Sequence, residues 1–146
     1  MKLYEVTYRH AALIKDLVTI WESSVRATHF FLANSDIEQI KQYVPQALKE
    51  VPILVVVENN AGHLVGFMGI SDEKLEMLFI LNENRGQGIG KILLQYGVEK
   101  YSIKELTVNE QNPKAKGFYE HMGFEVYKRT AQDEQGNPYP LLYMKR

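Results

Sequence analysis

Residues Glu83 to Lys91 read ENRGQGIGK, with glycine at 86, 88 and 90 directly behind Arg85. Glycine has no Cβ, so this spacing predicts a short loop whose bare backbone lets a ligand come close. Just downstream, Ile89, Ile92, Leu93 and Tyr96 recur at helical spacing, and the loop therefore opens a helix. The first N–H groups of a helix lack intrahelical partners, and its dipole adds about half a positive charge there, so the natural guest is a phosphate. Spacing then discriminates between phosphate loops. A P-loop needs Gly-Lys-Ser/Thr, but Lys91 is followed by Ile92, which leaves no hydroxyl for magnesium. A dinucleotide-binding unit needs G-x-G-x-x-G early in a βαβ segment, whereas here the glycines alternate after a run of strands. What fits is R-x-x-G-x-G over Arg85 to Gly90, behind a hydrophobic strand; the competing reading is a tight turn with a solvated Lys91.

Outward from the loop, the segments ILVVVE, LVGFMGIS and KLEMLFIL read as three strands upstream of it. They are joined by turn residues at Asn59 to Gly62 and at Ser71 to Glu73. Further upstream, Leu3 to Tyr8 alternates as a first strand, and Ala12, Leu13, Leu17, Ile20, Trp21 and Ser24 mark a helix. Asn34-Ser35-Asp36 caps a second helical region that Pro45 divides into two pieces. Downstream, IKELTV is a strand, and Asn112-Pro113 opens the helix PKAKGFYEHM, which Gly123 ends. FEVYKRT and YPLLYMK close the chain as a hairpin around DEQGN. The predicted order is β-α-α-β-β-β-α-β-α-β-β, a mixed α/β (α+β) sheet with helices on its faces.

Bulk properties narrow the function classes. A chain of 146 residues fits one domain, 1–146, and 45% hydrophobic with 24% charged residues is ordinary globular composition. Seventeen basic against eighteen acidic residues, net charge -1, provide no global field for nucleic acid or a membrane surface. No cysteine is present, which excludes disulfides, thiolate metal ligands and a cysteine nucleophile. The opening MKLYEVTYRH lacks the apolar run of a signal peptide, so a cytoplasmic location is expected.

The loop resembles the coenzyme A pyrophosphate loop of the GCN5-related N-acetyltransferase (GNAT) superfamily. A second cluster, Asn112, Ala115, Phe118, Tyr119, Gly123 and Phe124 in NPKAKGFYEHMGF, resembles that family's Asn-x-x-Ala-x-x-Phe-Tyr-x-x-x-Gly-Phe pattern in the same order. SVRATHFFL and DEQGNPYPLL extend the likeness to a YjaB-like bacterial branch over nearly the whole chain; Leu81-Asn82 departs from it where many relatives carry Asp-Pro. The resemblance implies a GNAT fold with a splayed central sheet, and acetyl-CoA as co-substrate with no metal. It implies backbone contacts from Leu78, Phe79 and Ile80, and a pyrophosphate cradle of Arg85, Gly86, Gln87, Gly88, Ile89, Gly90 and Lys91. It also implies pantetheine contacts from Asn112, Ala115 and Tyr119.

The implied reaction is acetyl transfer to a primary amine: a protein lysine, a terminus or a small metabolite. Tyr119 is the candidate acid for the departing thiolate. An ammonium ion has no lone pair, so a base must remove a proton. Glu76, placed by alternation on the side of Leu78 and Ile80, and His29, whose ordinary pKa suits proton exchange near neutrality, compete for that role. Trp21, Ser24, Thr28, His29, Phe30 and Tyr139 are the candidate acceptor wall, although Trp21 and Phe30 equally suit a core. The alternatives are a noncatalytic acyl-CoA sensor, monomeric or homodimeric like the enzyme, and a toxin–antitoxin type partner that pairs through a sheet edge.

Overall fold

A computed structural model describes residues 1–146. The strands are β1 (Lys2–Glu5), β2 (Ile53–Glu58), β3 (Leu64–Ser71), β4 (Lys74–Ile80), β5 (Glu105–Asn109), β6 (Glu125–Thr130) and β7 (Leu141–Lys145). The helices are α1 (Ala11–Thr28), α2 (Asn34–Lys41), α3 (Val44–Glu50), α4 (Ile89–Tyr101) and α5 (Pro113–His121). This is the expected order, with the second helical region in two pieces. Proline has no N–H and its ring clashes with the carbonyl four residues earlier, so Pro45 cannot extend α2 and sits instead in the first turn of α3. No helix is long and apolar enough to cross a membrane.

The strands form one seven-stranded sheet in the order β1-β2-β3-β4-β5-β7-β6. All neighbours run antiparallel except β4 and β5. β7 lies between β5 and β6, so the closing hairpin puts its last strand inside and leaves β6 at the edge.

Strand alternation divides the core in two. Val55 and Val57 of β2 face a cluster with Leu93 and Leu94 of α4, while Leu54 and Val56 face Leu17, Ile20 and Trp21 of α1 together with Leu48 of α3. Both faces are therefore apolar, which explains why β2 reads as an unbroken hydrophobic run. α4 lies close to the sheet because Gly97 faces β3: a Cβ there would stand 2.4 Å from Ile103 Cδ1 and 3.2 Å from Met68 Sδ.

Candidate active site

The site begins where the sheet fails to close. β4 and β5 pair only at Lys74↔Glu105 and Leu75↔Leu106. Beyond that point β4 stays with β3 as far as Ile80, and β5 stays with β7 as far as Asn109. The two strands part, and a cleft of about 530 Å³ occupies the opening. Leu78, Phe79 and Ile80 line one side, Thr107, Val108 and Asn109 the other.

The glycine loop stands at the open end. A 3₁₀ turn at Asn82–Asn84 is anchored by the Asn82 N–H, which donates to Ser23 Oγ at 3.1 Å. Gly86 and Gly88 then adopt φ of 76° and 82°. A Cβ at either would meet nothing within 4 Å, so glycine is selected by left-handed backbone rather than by crowding. The first helical bond of α4 runs from Ile92 N–H to Gly88 O at 3.1 Å, which leaves the preceding N–H groups of the first turn without intrahelical carbonyls. These amides, with Arg85 and Lys91 beside them, make a site that fits a diphosphate. The Ile89 side chain is buried in the core, so this residue offers only its backbone. Gln87 is exposed and lies outside the cleft wall.

Asn112 caps α5, its Oδ1 accepting from Ala115 N–H at 3.3 Å, and still lines the cleft, so its amide NH₂ is free to donate there. Tyr119 lines the cleft two turns further on, held edge-on between Phe118 and Phe124 at centroid distances of 5.3 and 6.3 Å. Burial pushes its phenol well above the ordinary tyrosine range, so it keeps its proton at neutral pH.

Glu76 occupies the lip of the opening, exposed and lining the cleft. The strand register interrupts the alternation here. Gly69 pairs with Met77 and Ile70 with Leu75, so Glu76 is the extra residue of a β-bulge. Leu75, Leu78 and Ile80 pack on the α4 face, whereas Met77 and Phe79 pack on the α1 face. Alternation therefore breaks between Leu75 and Met77, and the positions of Leu78 and Ile80 do not fix the face of Glu76, which lines the cleft from the bulge itself.

His29 follows the last turn of α1, and the cleft reaches it along with Ser24 and Thr28. The Thr28 hydroxyl donates to Ser24 O at 2.7 Å, so toward His29 Nδ1 at 2.8 Å it acts as acceptor. That geometry assigns the proton to Nδ1 and leaves the Nε2 lone pair free. Burial, and then the positive charge of Arg85, hold the imidazole below its ordinary pKa.

Three expected acceptor-wall residues stand elsewhere. Trp21 is core at 6% exposure, because it falls on the same stripe of α1 as Leu17 and Ile20. Phe30 is 83% exposed and off the cleft, since the chain turns as α1 ends. Tyr139 lies behind the wall: its ring packs 5.4 Å from Phe31, and its hydroxyl donates to Asp36 Oδ2 at 3.1 Å. Of the two adjacent phenylalanines it is Phe31 that turns inward, packing 5.4 Å from both His29 and Tyr139 behind the cleft wall. Sequence reasoning missed Thr107, although a threonine between core positions Leu106 and Val108 carries an alternation signal.

The family model of the acetyltransferase (GNAT) domain matches residues 21–140. The chain is 43% identical over 126 residues, 86% of each chain, to the peptidyl-lysine N-acetyltransferase YjaB of Salmonella typhimurium. The solution structure of apo-form YjaB from Escherichia coli superposes with a TM-score of 0.87 at 37% identity, over 99% of this chain and 97% of that one. The PaiA N-acetyltransferase of Thermoplasma acidophilum in complex with coenzyme A shares the fold at a TM-score of 0.72 and 20% identity, over 100% of both chains.

Proposed function

The chain belongs to the GNAT acetyltransferase family and uses acetyl-CoA to acetylate an amine; from that premise we propose that its acceptor is the ε-amine of a protein lysine. The observation that carries this reading is the parted pair β4 and β5, whose opening has a diphosphate-binding loop at one end and Glu76, His29 and Tyr119 along its walls. Support for lysine in particular comes from the 43% identical relative, whose name gives peptidyl-lysine as its acceptor.

In this reading the amides from Gly86 to Lys91, with Arg85, hold the diphosphate. Asn112 and the free edge of β4 at Leu78 to Ile80 hold the pantetheine arm, with Ala115 alongside. The thioester then lies near Tyr119. A lysine amine is about one part in a thousand neutral at pH 7.4, so attack requires deprotonation at the site. Glu76, acting through water, is the proposed base; His29, kept neutral, is the alternative. Direct attack then forms the C–N bond; the nitrogen sheds its second proton through the same water to the base, which has passed the first to solvent, and the C–S bond breaks with its electron pair on sulfur, to which the Tyr119 hydroxyl donates a hydrogen bond. The same reading takes residues 1–146 as one catalytic domain acting in the cytoplasm.

The test is incubation with acetyl-CoA and a panel of lysine peptides, reading thiol release and acetylation sites by mass spectrometry. Release of coenzyme A matched by acetyl groups on ε-amines is expected. Transfer only to peptide N-termini or to small amines would overturn the lysine assignment.

A further inference from the structure

Thr107 stands on β5 between Leu106 and Val108, both buried in the cluster on the α4 face. Alternation turns Thr107 to the opposite face, toward α1. Its Oγ1 is shielded from solvent and has no hydrogen-bond partner, although the residue lines the cleft. A buried hydroxyl left unpaired destabilises the fold, and an apolar group of the same shape avoids that cost. Fold stability alone would therefore favour valine at this position.

The register explains what a hydroxyl can do here. Leu75↔Leu106 is the last pair joining β4 to β5. One residue further along each strand come Glu76 and Thr107, the two lips at the base of the opening. Leu106 and Val108 point into the core on the α4 face, so Thr107 turns to the α1 face, and it shares the cleft with Glu76 at the bulge and with Ser24, Thr28 and His29.

We propose that Thr107 Oγ1 orients the attacking amine, accepting one of its N–H groups while the carboxylate opposite, through water, takes the other. A neutral primary amine has two N–H bonds and one lone pair. Fixing both N–H directions fixes the third, and the lone pair is then held on the line of attack. One χ1 step moves Oγ1 to a neighbouring staggered position without moving the backbone, and in this proposal the hydroxyl reaches the cleft by that step. Thr107 forms no covalent bond to substrate and its own proton is not transferred; it positions the amine through that one hydrogen bond. The inference rests on the acetyl-transfer reading above.

Thr107→Val and Thr107→Ser in the full chain test it. The valine variant should bind acetyl-CoA with wild-type affinity by titration calorimetry and melt at or above the wild-type temperature. Its kcat/KM for the amine should fall about 10- to 100-fold, and serine should restore most of the loss. Wild-type kcat/KM in the valine variant overturns the proposal. So does weakened acetyl-CoA binding, which would assign the hydroxyl to the pantetheine arm, or equal losses of activity and melting temperature in both variants, which would make the role structural. If wild-type protein acetylates a small amine but no lysine peptide, the lysine reading alone fails, and the same comparison is made on that amine. No transfer to any amine overturns both.

Discussion

Tyr119 shows how burial decides a residue's chemistry. A phenol pushed above its ordinary range is a poorer acid, and complete proton transfer to a thiolate, whose cysteine counterpart has a pKa of about 8.5, runs against the order of pKa values. What the phenol retains is a hydrogen bond aimed at charge that develops only as the thiol leaves. Tyr119→Phe should lower kcat by about 10² with acetyl-CoA affinity unchanged by calorimetry; unchanged turnover removes it from the mechanism. The two base candidates separate by pH. Glu76→Gln should lose the acidic limb of the kcat/KM profile, while His29→Ala keeps it; the reverse result would transfer the role to His29. His29 also leaves a mark on stability. Its native pKa is depressed, so its contribution is present above the ordinary imidazole range and is lost as pH falls through the native value. The melting temperature should fall as pH drops from 7 to 5, and His29→Gln should make that fall shallower.

At the scale of elements, the glycine loop and α4 act as one device. Gly88 is the left-handed N-cap of α4, and a residue with a Cβ there pays about 1–2 kcal/mol in backbone strain without any clash. Gly88→Val should therefore weaken acetyl-CoA binding about tenfold or more, because the amides behind it lose their aim. Gly62 is the internal control. It has φ of 81° in the β2–β3 turn, with equally open surroundings. Gly62→Val should carry a similar stability loss and leave coenzyme affinity intact. Equal affinity in both variants would show that the loop does not hold the diphosphate.

Across the whole molecule, α4 is fastened to the far edge of the sheet. Glu5 of β1 accepts from Lys100, Tyr101 and Tyr96, and these bonds, Lys100 first, hold its carboxyl at about 2. Because the native pKa is depressed, this stabilisation is full above the ordinary carboxylate range, near 4.3, and is lost as pH falls toward about 2. Glu5→Gln should cost about 1 kcal/mol at neutral pH after allowance for solvent screening, read as a melting temperature lower by about 3 °C. It should also blunt the wild-type loss of stability in acid. No difference between the two proteins from pH 7 to 2 would show that the cluster is ornamental. The local features were legible because their causes are local: element order follows hydrophobic period and turn chemistry, the division at Pro45 follows from one missing N–H, and the cradle follows from glycine spacing at a helix start. The wall of the acceptor side was not legible, because it depends on which face a residue presents. A one-residue bulge breaks the alternation at Glu76, the turn after α1 leaves Phe30 in solvent, and helix phase buries Trp21 in the core. The sequence by itself determined the elements and the glycine loop that opens α4. Only the tertiary structure decided where β4 and β5 part, directly after Lys74↔Glu105 and Leu75↔Leu106, because strand register is a contact between distant segments that no local pattern encodes.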